Sequence, residues 1–319
     1  MSPLAVCSAA LPIDIRPILG PGVALHIPPR GSFTRAELTA AVREAEALIA
    51  LLDVAVDGAL FDAAPRLRVV ANHAVGYDNV DVAAATERGI VVTNTPDVLT
   101  DATADLTFAL ILAAARRLGE AEVLARSGAW TGWAPDQLLG QSIAGRTLGI
   151  IGFGRIGQAV ARRAAGFDME VVYSAPRDVR STVAAHRVEL AELLAASDVV
   201  TLHCPLTPAT RHIIDGEALA RMKPTAVLVN TARGPCVDEG ALAAALERGT
   251  IAAAGLDVFE KEPSIHPGLL ASRKVVLAPH LGSATLEARG GMARLCAEAV
   301  AAVLAGRRPA HPVNPEVLR

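Results

Sequence analysis

A glycine-rich turn lies near the middle of this chain of 319 residues. The segment before it, residues 148–151, is short and uniformly apolar, which is typical of a buried parallel strand. Gly152, Gly154 and Gly157 have the spacing that permits a tight turn, close approach of a phosphate and close packing of a helix. Free N–H groups at the start of that helix would face the anion. The pattern predicts a dinucleotide-binding turn, although such turns also occur in methyltransferases and other α/β folds.

The end of the next predicted strand bears on which dinucleotide binds. An NAD-binding strand usually ends in an acidic residue about 20 residues past the glycines, which accepts from the ribose 2′-hydroxyl. Here Ser174 and Arg177 occupy that neighbourhood, and both would bind a 2′-phosphate. The residues therefore favour NADP(H) over NAD(H). The alternative is that Arg177 points to solvent and Asp178 turns back to the ribose.

Composition narrows the class of protein. Hydrophobic residues make up 52% of the chain, so we expect a folded globular protein. A net charge of −3 and the lack of a long basic run argue against a nucleic-acid partner. No apolar stretch has the length of a membrane span, and the start lacks the order of a signal peptide, so we expect a cytoplasmic protein. The cysteines predict buried thiols, with no disulfide framework, zinc knuckle or other metal site: Cys7, Cys204, Cys236 and Cys296.

Short apolar runs alternate with helical patterns along most of the chain, which indicates parallel sheets with helices on both faces. We predict an α/β protein of two Rossmann-like parallel-sheet domains, in which a doubly wound domain (99–286) is inserted into a flavodoxin-like domain (1–98 plus 287–319). Between the two, residues 99–118 predict one long helix that bridges the domains. Trp130 and Trp133 follow in a loop and are interpreted as anchors of the core or of a subunit interface.

Three further segments lie where strands of the inserted domain should end: 230–234, 255–263 and 278–285. With residues 75–81, 94–105 and 203–207 and the glycine turn, they appear in an order that resembles the D-isomer-specific 2-hydroxyacid dehydrogenases, and most of all glyoxylate/hydroxypyruvate reductases. The resemblance covers nearly the whole chain. It implies an NAD(P)-binding domain at 99–286 and a substrate domain formed by the rest.

The resemblance also implies the catalytic residues. Hydride transfer to a 2-oxo acid leaves an oxyanion, and His280 would protonate it. Glu262 would hold the imidazole and favour its charged form. Arg233 would orient the substrate carboxylate and carbonyl with its planar guanidinium. The other substrate contacts implied are Leu52, the backbone N–H groups of Val75 and Gly76, and Ser283.

For the cofactor, the resemblance implies that Asp257 and the carbonyl of Ala232 accept from the nicotinamide carboxamide, and that Thr103 lies near the pyrophosphate. Other expected cofactor contacts, beyond Gly152, Gly154, Gly157, Ser174 and Arg177, are Arg155, Ile156, Cys204, Pro205, Thr210, Thr231, His280 and Gly282. Six other histidines lack such support and are interpreted as structural: His73, His186, His203, His212, His266 and His311.

These expectations describe an enzyme that reduces glyoxylate and hydroxypyruvate to glycolate and D-glycerate with NADPH, or with NADH. The family also implies a homodimer. Two alternatives are another D-2-hydroxyacid or phosphite dehydrogenase and a dinucleotide-sensing protein related to corepressors. Pro279 stands where formate dehydrogenases carry Gln, which argues against formate oxidation. A methyltransferase would not explain Arg233, Glu262 and His280.

Overall fold

The computed structural model describes residues 2–29 and 31–318. The chain divides into two compact units, Met1–Leu99 with Ala284–Arg319 and Thr100–Ser283. Each unit contains one parallel β-sheet with helices. The predicted fold class, two parallel-sheet α/β domains, is confirmed. No α-helix among the described residues is both long and apolar enough to cross a membrane.

The first unit begins with four helices that alternate with five strands. The strands are β1 Leu4–Cys7, β2 Ala24–His26, β3 Ala47–Ala50, β4 Val69–Asn72 and β5 Val91–Thr93. The helices are α1 Arg16–Leu19, α2 Arg35–Ala41, α3 Gly58–Asp62 and α4 Val82–Glu87. The strand order is β2-β1-β3-β4-β5, the order of flavodoxin-like folds. Local signals start the helices, such as the reciprocal hydrogen bonds of Thr34 and Glu37 at α2.

The second unit has a seven-stranded parallel sheet. Its strands are β6 Thr147–Ile151, β7 Glu170–Ser174, β8 His186–Arg187, β9 Val199–Leu202, β10 Val227–Asn230, β11 Ala253–Leu256 and β12 Val275–Leu277. Its helices are α5 Thr100–Ala115, α6 Leu118–Ser127, α7 Arg155–Ala164, α8 Leu190–Ala196, α9 Gly216–Arg221, α10 Glu239–Arg248 and α11 Pro267–Ala271. The strand order β12-β11-β10-β9-β6-β7-β8 reverses direction beside β6, where doubly wound folds bind dinucleotides.

The register of this sheet aligns the strand ends. One row of paired residues crosses six strands at their carboxyl ends: Ser174, Ile151, Leu202, Asn230, Leu256 and Leu277. The loops that follow these residues therefore leave the sheet side by side. They include the glycine turn and the segments that contain Arg233, Asp257 and His280.

Apolar side chains cover both faces of each sheet. In the second unit, α5 and α7 contribute Phe108, Ile111 and Val160 to one face, and α10 contributes Leu242 and Leu246 to the other. In the first unit, the last helix of the chain, α12 Leu286–Leu304, buries Ala293, Cys296 and Val300 against the sheet. Buried parallel strands of this kind explain why the sequence shows continuous apolar runs. All four cysteines are free and buried, as predicted.

The helix predicted over residues 99–118 is present as α5, but it ends three residues earlier than predicted, and the helix that follows it was not predicted. The structure has two helices here, because α5 ends at Ala115 and Arg117 adopts a left-handed conformation with φ of 53° before α6. The alternative that the tryptophans anchor the core was wrong. Trp130 is 58% exposed and Trp133 is 83% exposed. The short helices α1, α3 and α11 and the edge strand β8 were not predicted.

Candidate active site

The glycine turn after β6 fits the predicted cradle for a diphosphate. Gly152 has φ of 90°, and a Cβ there would lie 2.5 Å from the backbone nitrogen of Cys204. A Cβ at Gly157 would lie 2.4 Å from the carbonyl oxygen of Gly152, so only glycine permits the packing of α7 on the turn. A Cβ at Gly154 would meet no atom within 4 Å. The approach to the N-terminus of α7, where Arg155 and Ile156 lie, is therefore open to an anion.

Residues at the end of β7 hold the nearby acidic group in one place. Ser174 is the last residue of the strand and is partly buried, whereas Arg177 is exposed. The carboxylate of Asp178 accepts hydrogen bonds from the Tyr173 hydroxyl and from the backbone N–H of Val179. The Tyr173 ring stacks on Phe153 at 4.0 Å between ring centroids. Because successive strand residues point to opposite faces, Asp178 is held on the Tyr173 face and Ser174 points to the other.

The loop after β9 is stabilised by its own side chains. The Thr210 hydroxyl donates to the Pro205 carbonyl at 2.6 Å, and the backbone N–H of Thr207 donates to that hydroxyl at 2.8 Å. Cys204 is buried, and its hydrogen bond with the Cys236 thiol together with burial raises the pKa of Cys204. Cys204 therefore stays a neutral thiol that packs beside the glycine turn.

Arg233 is positioned by a side chain that the sequence did not single out. The Asn230 amide donates to the carbonyl of Arg233 at 2.9 Å, and its oxygen accepts the N–H of Ala232 at 3.0 Å. The Arg233 guanidinium donates to the Ala232 carbonyl at 2.8 Å. A Cβ at Gly234 would lie 1.9 Å from the carbonyl of Phe259, so this loop is pressed against the segment that leads to Glu262.

His280 and Glu262 form a hydrogen-bonded pair. His280 Nδ1 lies 2.8 Å from Glu262 Oε2, and the other carboxylate oxygen accepts the backbone N–H of Phe259 at 3.0 Å. Burial alone would raise the pKa of Glu262, but these two hydrogen bonds and the charges of His280 and Arg233 lower it overall. The pair thus combines a carboxylate that stays ionised with an imidazole that it holds through Nδ1. The influence of Arg233 on Glu262 brings all three predicted catalytic residues into one electrostatic group.

Asp257 fixes the turn that carries His280. Its carboxylate oxygens accept the backbone N–H groups of Leu281 at 2.6 Å and Gly282 at 2.8 Å. Its carbonyl accepts the N–H of His280 at 2.8 Å. These bonds hold His280 at φ of 55°, in the left-handed region that few residues other than glycine adopt. Burial raises the pKa of Asp257, although its bonds to the N–H groups of Leu281 and Gly282 oppose the shift.

The substrate residues predicted in the first unit lie on loops at the carboxyl ends of β3 and β4. The Asn72 amide donates to the carbonyl of Gly76 at 2.8 Å, and the Asn94 amide donates to the carbonyl of Val75 at 2.8 Å. Leu52 lies two residues past β3 and is partly buried. The asparagines thus fix the backbone of the predicted carboxylate-binding loop.

Some residues that position these loops were missed in the sequence, namely Asn72, Asn94, Asn230 and, on α5, Thr107, whose hydroxyl oxygen lies 2.9 Å from Thr231 Oγ1. Three of them are asparagines beside a strand end, and that position was the available signal. Of the histidines interpreted as structural, His212 pairs with Glu260, His266 caps α11, and His203 is bonded to Thr201. Ser283 follows Gly282 and is partly exposed. No cluster of His, Cys, Asp or Glu side chains suited to a metal ion occurs among the described residues.

Known proteins resemble this chain over most of its length. Residues 108–282 match the family model described as the NAD-binding domain of D-isomer-specific 2-hydroxyacid dehydrogenases. The chain is 51% identical over 298 residues to the glyoxylate reductase of Thermococcus litoralis, covering 91% of this chain and 88% of that enzyme.

Two solved structures extend the similarity to the fold. A protein from Thermus thermophilus superimposes with a TM-score of 0.92 at 45% identity, covering 97% of this chain and 99% of that one. The NADPH-dependent glyoxylate/hydroxypyruvate reductase of Sinorhizobium meliloti, in complex with NADP and malonate, gives a TM-score of 0.85 at 35% identity, covering 98% and 97%. The family model matches more than half of this chain, and the chain therefore belongs to the D-isomer-specific 2-hydroxyacid dehydrogenases.

Proposed function

We propose that the protein reduces glyoxylate and hydroxypyruvate to glycolate and D-glycerate, with NADPH as the preferred cofactor and His280 as the proton donor. The observation that carries the proposal is the pairing of His280 with Glu262 within the electrostatic reach of Arg233. The glyoxylate reductase of Thermococcus litoralis and the NADPH-dependent reductase of Sinorhizobium meliloti are relatives whose names agree with it.

The proposed mechanism assigns one step to each side chain. Bound dihydronicotinamide supplies the hydride to the carbonyl carbon of the 2-oxo acid. Arg233 orients the substrate through its carboxylate and carbonyl oxygens. Protonated His280 gives the Nε2 proton to the oxygen as its negative charge develops. Glu262 stabilises the imidazolium through Nδ1 and fixes the orientation of the ring, as a carboxylate does in other acid–base pairs.

The first unit would bind the substrate carboxylate. In this proposal the backbone N–H groups of Val75 and Gly76 bind it and Leu52 limits the size of the substrate. Ser283 is also proposed as a substrate contact. Asn72 and Asn94 support the assignment, because they hold the carbonyl groups of this loop and so fix the direction of its peptide planes. The domains would then be a substrate domain at 1–98 plus 287–319 and a cofactor domain at 99–286.

The preference for NADPH rests on the end of β7. The carboxylate of Asp178 is hydrogen-bonded to Tyr173 and Val179, on the face of the sheet opposite Ser174. A 2′-phosphate beside Ser174 would therefore meet a hydroxyl and the Arg177 guanidinium rather than an acid. NADH would lack these charge-assisted bonds and bind more weakly.

We also propose that the protein is a homodimer. Helix α6 buries none of its side chains within the chain. The exposed apolar residues there and in the loop that follows are Leu118, Val123, Trp130, Trp133 and Leu139. A cluster of this composition is typical of a subunit interface.

The proposal is tested by following nicotinamide absorbance with purified protein. NADPH and NADH are each paired with glyoxylate, hydroxypyruvate, pyruvate and phosphohydroxypyruvate. We expect fast decay with NADPH and the first two acids, and a higher KM for NADH. A lower KM for NADH would reject the cofactor preference. No decay with any acid, despite measurable cofactor binding, would reject the reductase and favour phosphite oxidation or dinucleotide sensing.

A further inference from the structure

Three buried threonines, Thr103, Thr107 and Thr231, are linked by hydrogen bonds next to the turn that follows His280. Thr107 Oγ1 lies 2.8 Å from the Thr103 carbonyl oxygen and 2.9 Å from Thr231 Oγ1. Thr103 Oγ1 lies 3.1 Å from the carbonyl oxygen of Gly282. The three residues are 4%, 0% and 8% exposed for Thr103, Thr107 and Thr231. Water therefore does not compete for these bonds.

The donor and acceptor of each of these hydrogen bonds follow from counting the available hydrogens. A hydroxyl has one hydrogen, and a carbonyl oxygen can only accept. Thr107 must therefore donate to the Thr103 carbonyl, and its bond with Thr231 requires Thr231 to be the donor. Thr103 must likewise donate to Gly282. Thr103 and Thr231 thus have no hydrogen left, and each offers only lone pairs to a further partner.

The polar groups beside these hydroxyls are acceptors too. A Cβ built on Gly282 would lie 3.3 Å from Asp257 Oδ2 and 3.5 Å from Thr103 Oγ1, so the carboxylate and the hydroxyl flank the same residue. The Ala232 carbonyl follows Thr231 directly in the chain. A phosphate group offers no N–H and does not complement such a set. The amide NH₂ of a nicotinamide ring does, because it carries two donors.

We propose that Thr107 is a positioning residue that fixes the Thr231 hydroxyl as a hydrogen-bond acceptor. The hydroxyl groups of Thr231 and Thr103 together then select a cofactor that carries an amide NH₂. The inference rests on the proposed function, since it takes a nicotinamide dinucleotide as the cofactor. It gives Thr103 an amide as partner in place of the expected pyrophosphate. Thr107 needs no contact with the cofactor, because it acts through the hydroxyl of Thr231.

Calorimetric titration with NADP⁺ and with its 3-acetylpyridine analogue tests the inference without turnover. The analogue has a methyl ketone in place of the amide and so lacks both N–H donors. We expect the intact protein to bind NADP⁺ at least about tenfold more tightly than the analogue, since several acceptors lose a partner. Thr107→Val frees the Thr231 hydrogen and should reduce that preference by about three- to tenfold. Thr107→Ser keeps the bond direction and should retain the preference.

Ser197→Ala is the matched control. Ser197 is buried and donates to the carbonyl four residues earlier, as Thr107 does, but it lies just before β9, at the amino ends of the strands. Its loss should leave the preference unchanged. If Thr107→Val does not fold, Thr231→Val decides, because it removes the acceptor itself and should cause the same loss.

The outcomes separate this inference from the proposed function. An unchanged preference in Thr107→Val or in Thr231→Val would overturn the inference, as would equal binding of both dinucleotides by the intact protein. In these cases the reductase proposal stands. Failure of the intact protein to bind either dinucleotide would overturn both.

Discussion

His280 owes its position to its backbone as much as to its side chain. Its φ of 55° would be costly for most residues, and the Asp257 hydrogen bonds to Leu281 and Gly282 sustain it. A strained residue held by several backbone bonds is typical of a site where geometry matters for chemistry. Substitutions here must therefore respect the backbone if they are to test the side chain.

His280→Asn should lower kcat for glyoxylate reduction by about 10²- to 10⁴-fold, the usual contribution of a general acid. Asn tolerates the left-handed conformation, so cofactor affinity and thermal stability should stay near those of the original protein. His212→Asn is the control, because His212 also has positive φ, 49°, and also pairs with a glutamate. Equal effects of the two variants on kcat would contradict the assignment of the proton donor.

Glu262→Gln should move the pH profile of the reaction. Without the carboxylate the imidazolium loses its stabilising charge, so the fall of kcat/KM for reduction with rising pH should begin at a lower pH. The measurement is kcat/KM for glyoxylate between about pH 5 and 9, the range in which histidine titrates. Glu260→Gln, two residues away and paired with His212 rather than His280, should leave the profile in place. A Glu262→Gln profile that only scales down would contradict an electrostatic role.

His203 should make the fold sensitive to acid. Burial lowers the pKa of His203 to about 3, so below the usual histidine value near 6.5 the unfolded chain binds a proton that the folded chain does not. Stability is therefore retained above about pH 6.5 and lost as pH falls towards 3, by up to about 2 kcal/mol at pH 5. His203→Gln, which keeps a partner for Thr201, should lose less stability between about pH 7 and pH 5 in urea unfolding. Equal losses of stability in the original protein and in His203→Gln would rule out His203 as the source of the acid sensitivity.

At the scale of elements, helices and strands were predictable where local signals and burial agree. Helix α10 has the predicted bounds, Glu239–Arg248, because Asp238 caps its start and Gly249 ends it in a left-handed conformation. The break between α5 and α6 was not predictable, since the left-handed residue there is Arg117 rather than Gly or Asn. One support of the candidate site was hidden for another reason: the bond direction at Thr107 depends on Thr231, which is 124 residues away in the sequence and is brought near only by the fold.

An arginine adds ion pairs to the apolar packing between helices α5 and α7. Arg163 bonds the side chains of Asp101 and Asp105, 3.1 Å and 2.6 Å away, and is 24% exposed. Helix α7 begins at the glycine turn and α5 carries Thr103 and Thr107, so these ion pairs would link two parts of the proposed cofactor site.

Arg163→Met should remove these ion pairs while keeping the apolar stem. We expect a loss of about 1 kcal/mol, seen as a thermal midpoint lower by about 2–4 °C. Arg162→Met is the control, because Arg162 is 51% exposed and lies 3.9 Å from Asp101. Its midpoint should change by less than about 1 °C. Equal shifts for both variants would show that Arg163 does not hold the helices together.

At the scale of the whole molecule, the exposed apolar cluster of α6 and its loop should determine assembly. Trp133→Ser combined with Leu139→Ser should convert a dimer into a monomer in sedimentation velocity, with the fold of each chain kept. Leu270→Ser is the control, since Leu270 is 60% exposed on α11 and lies outside the cluster. A concentration-independent monomer before any substitution would contradict the dimer itself.

The hydrogen bond from Thr103 to the Gly282 carbonyl ties the first turn of the second unit to its last residues. The long excursion of the chain through this unit thus starts and finishes at nearly the same point. A segment whose two ends lie close together can be deleted with little strain on the rest of the chain. It can also be exchanged for the equivalent segment of a relative with another cofactor preference. Because its two ends already lie together, a short loop would bridge the gap that it leaves, and the entropic cost of closing a loop rises only slowly with the number of residues in it.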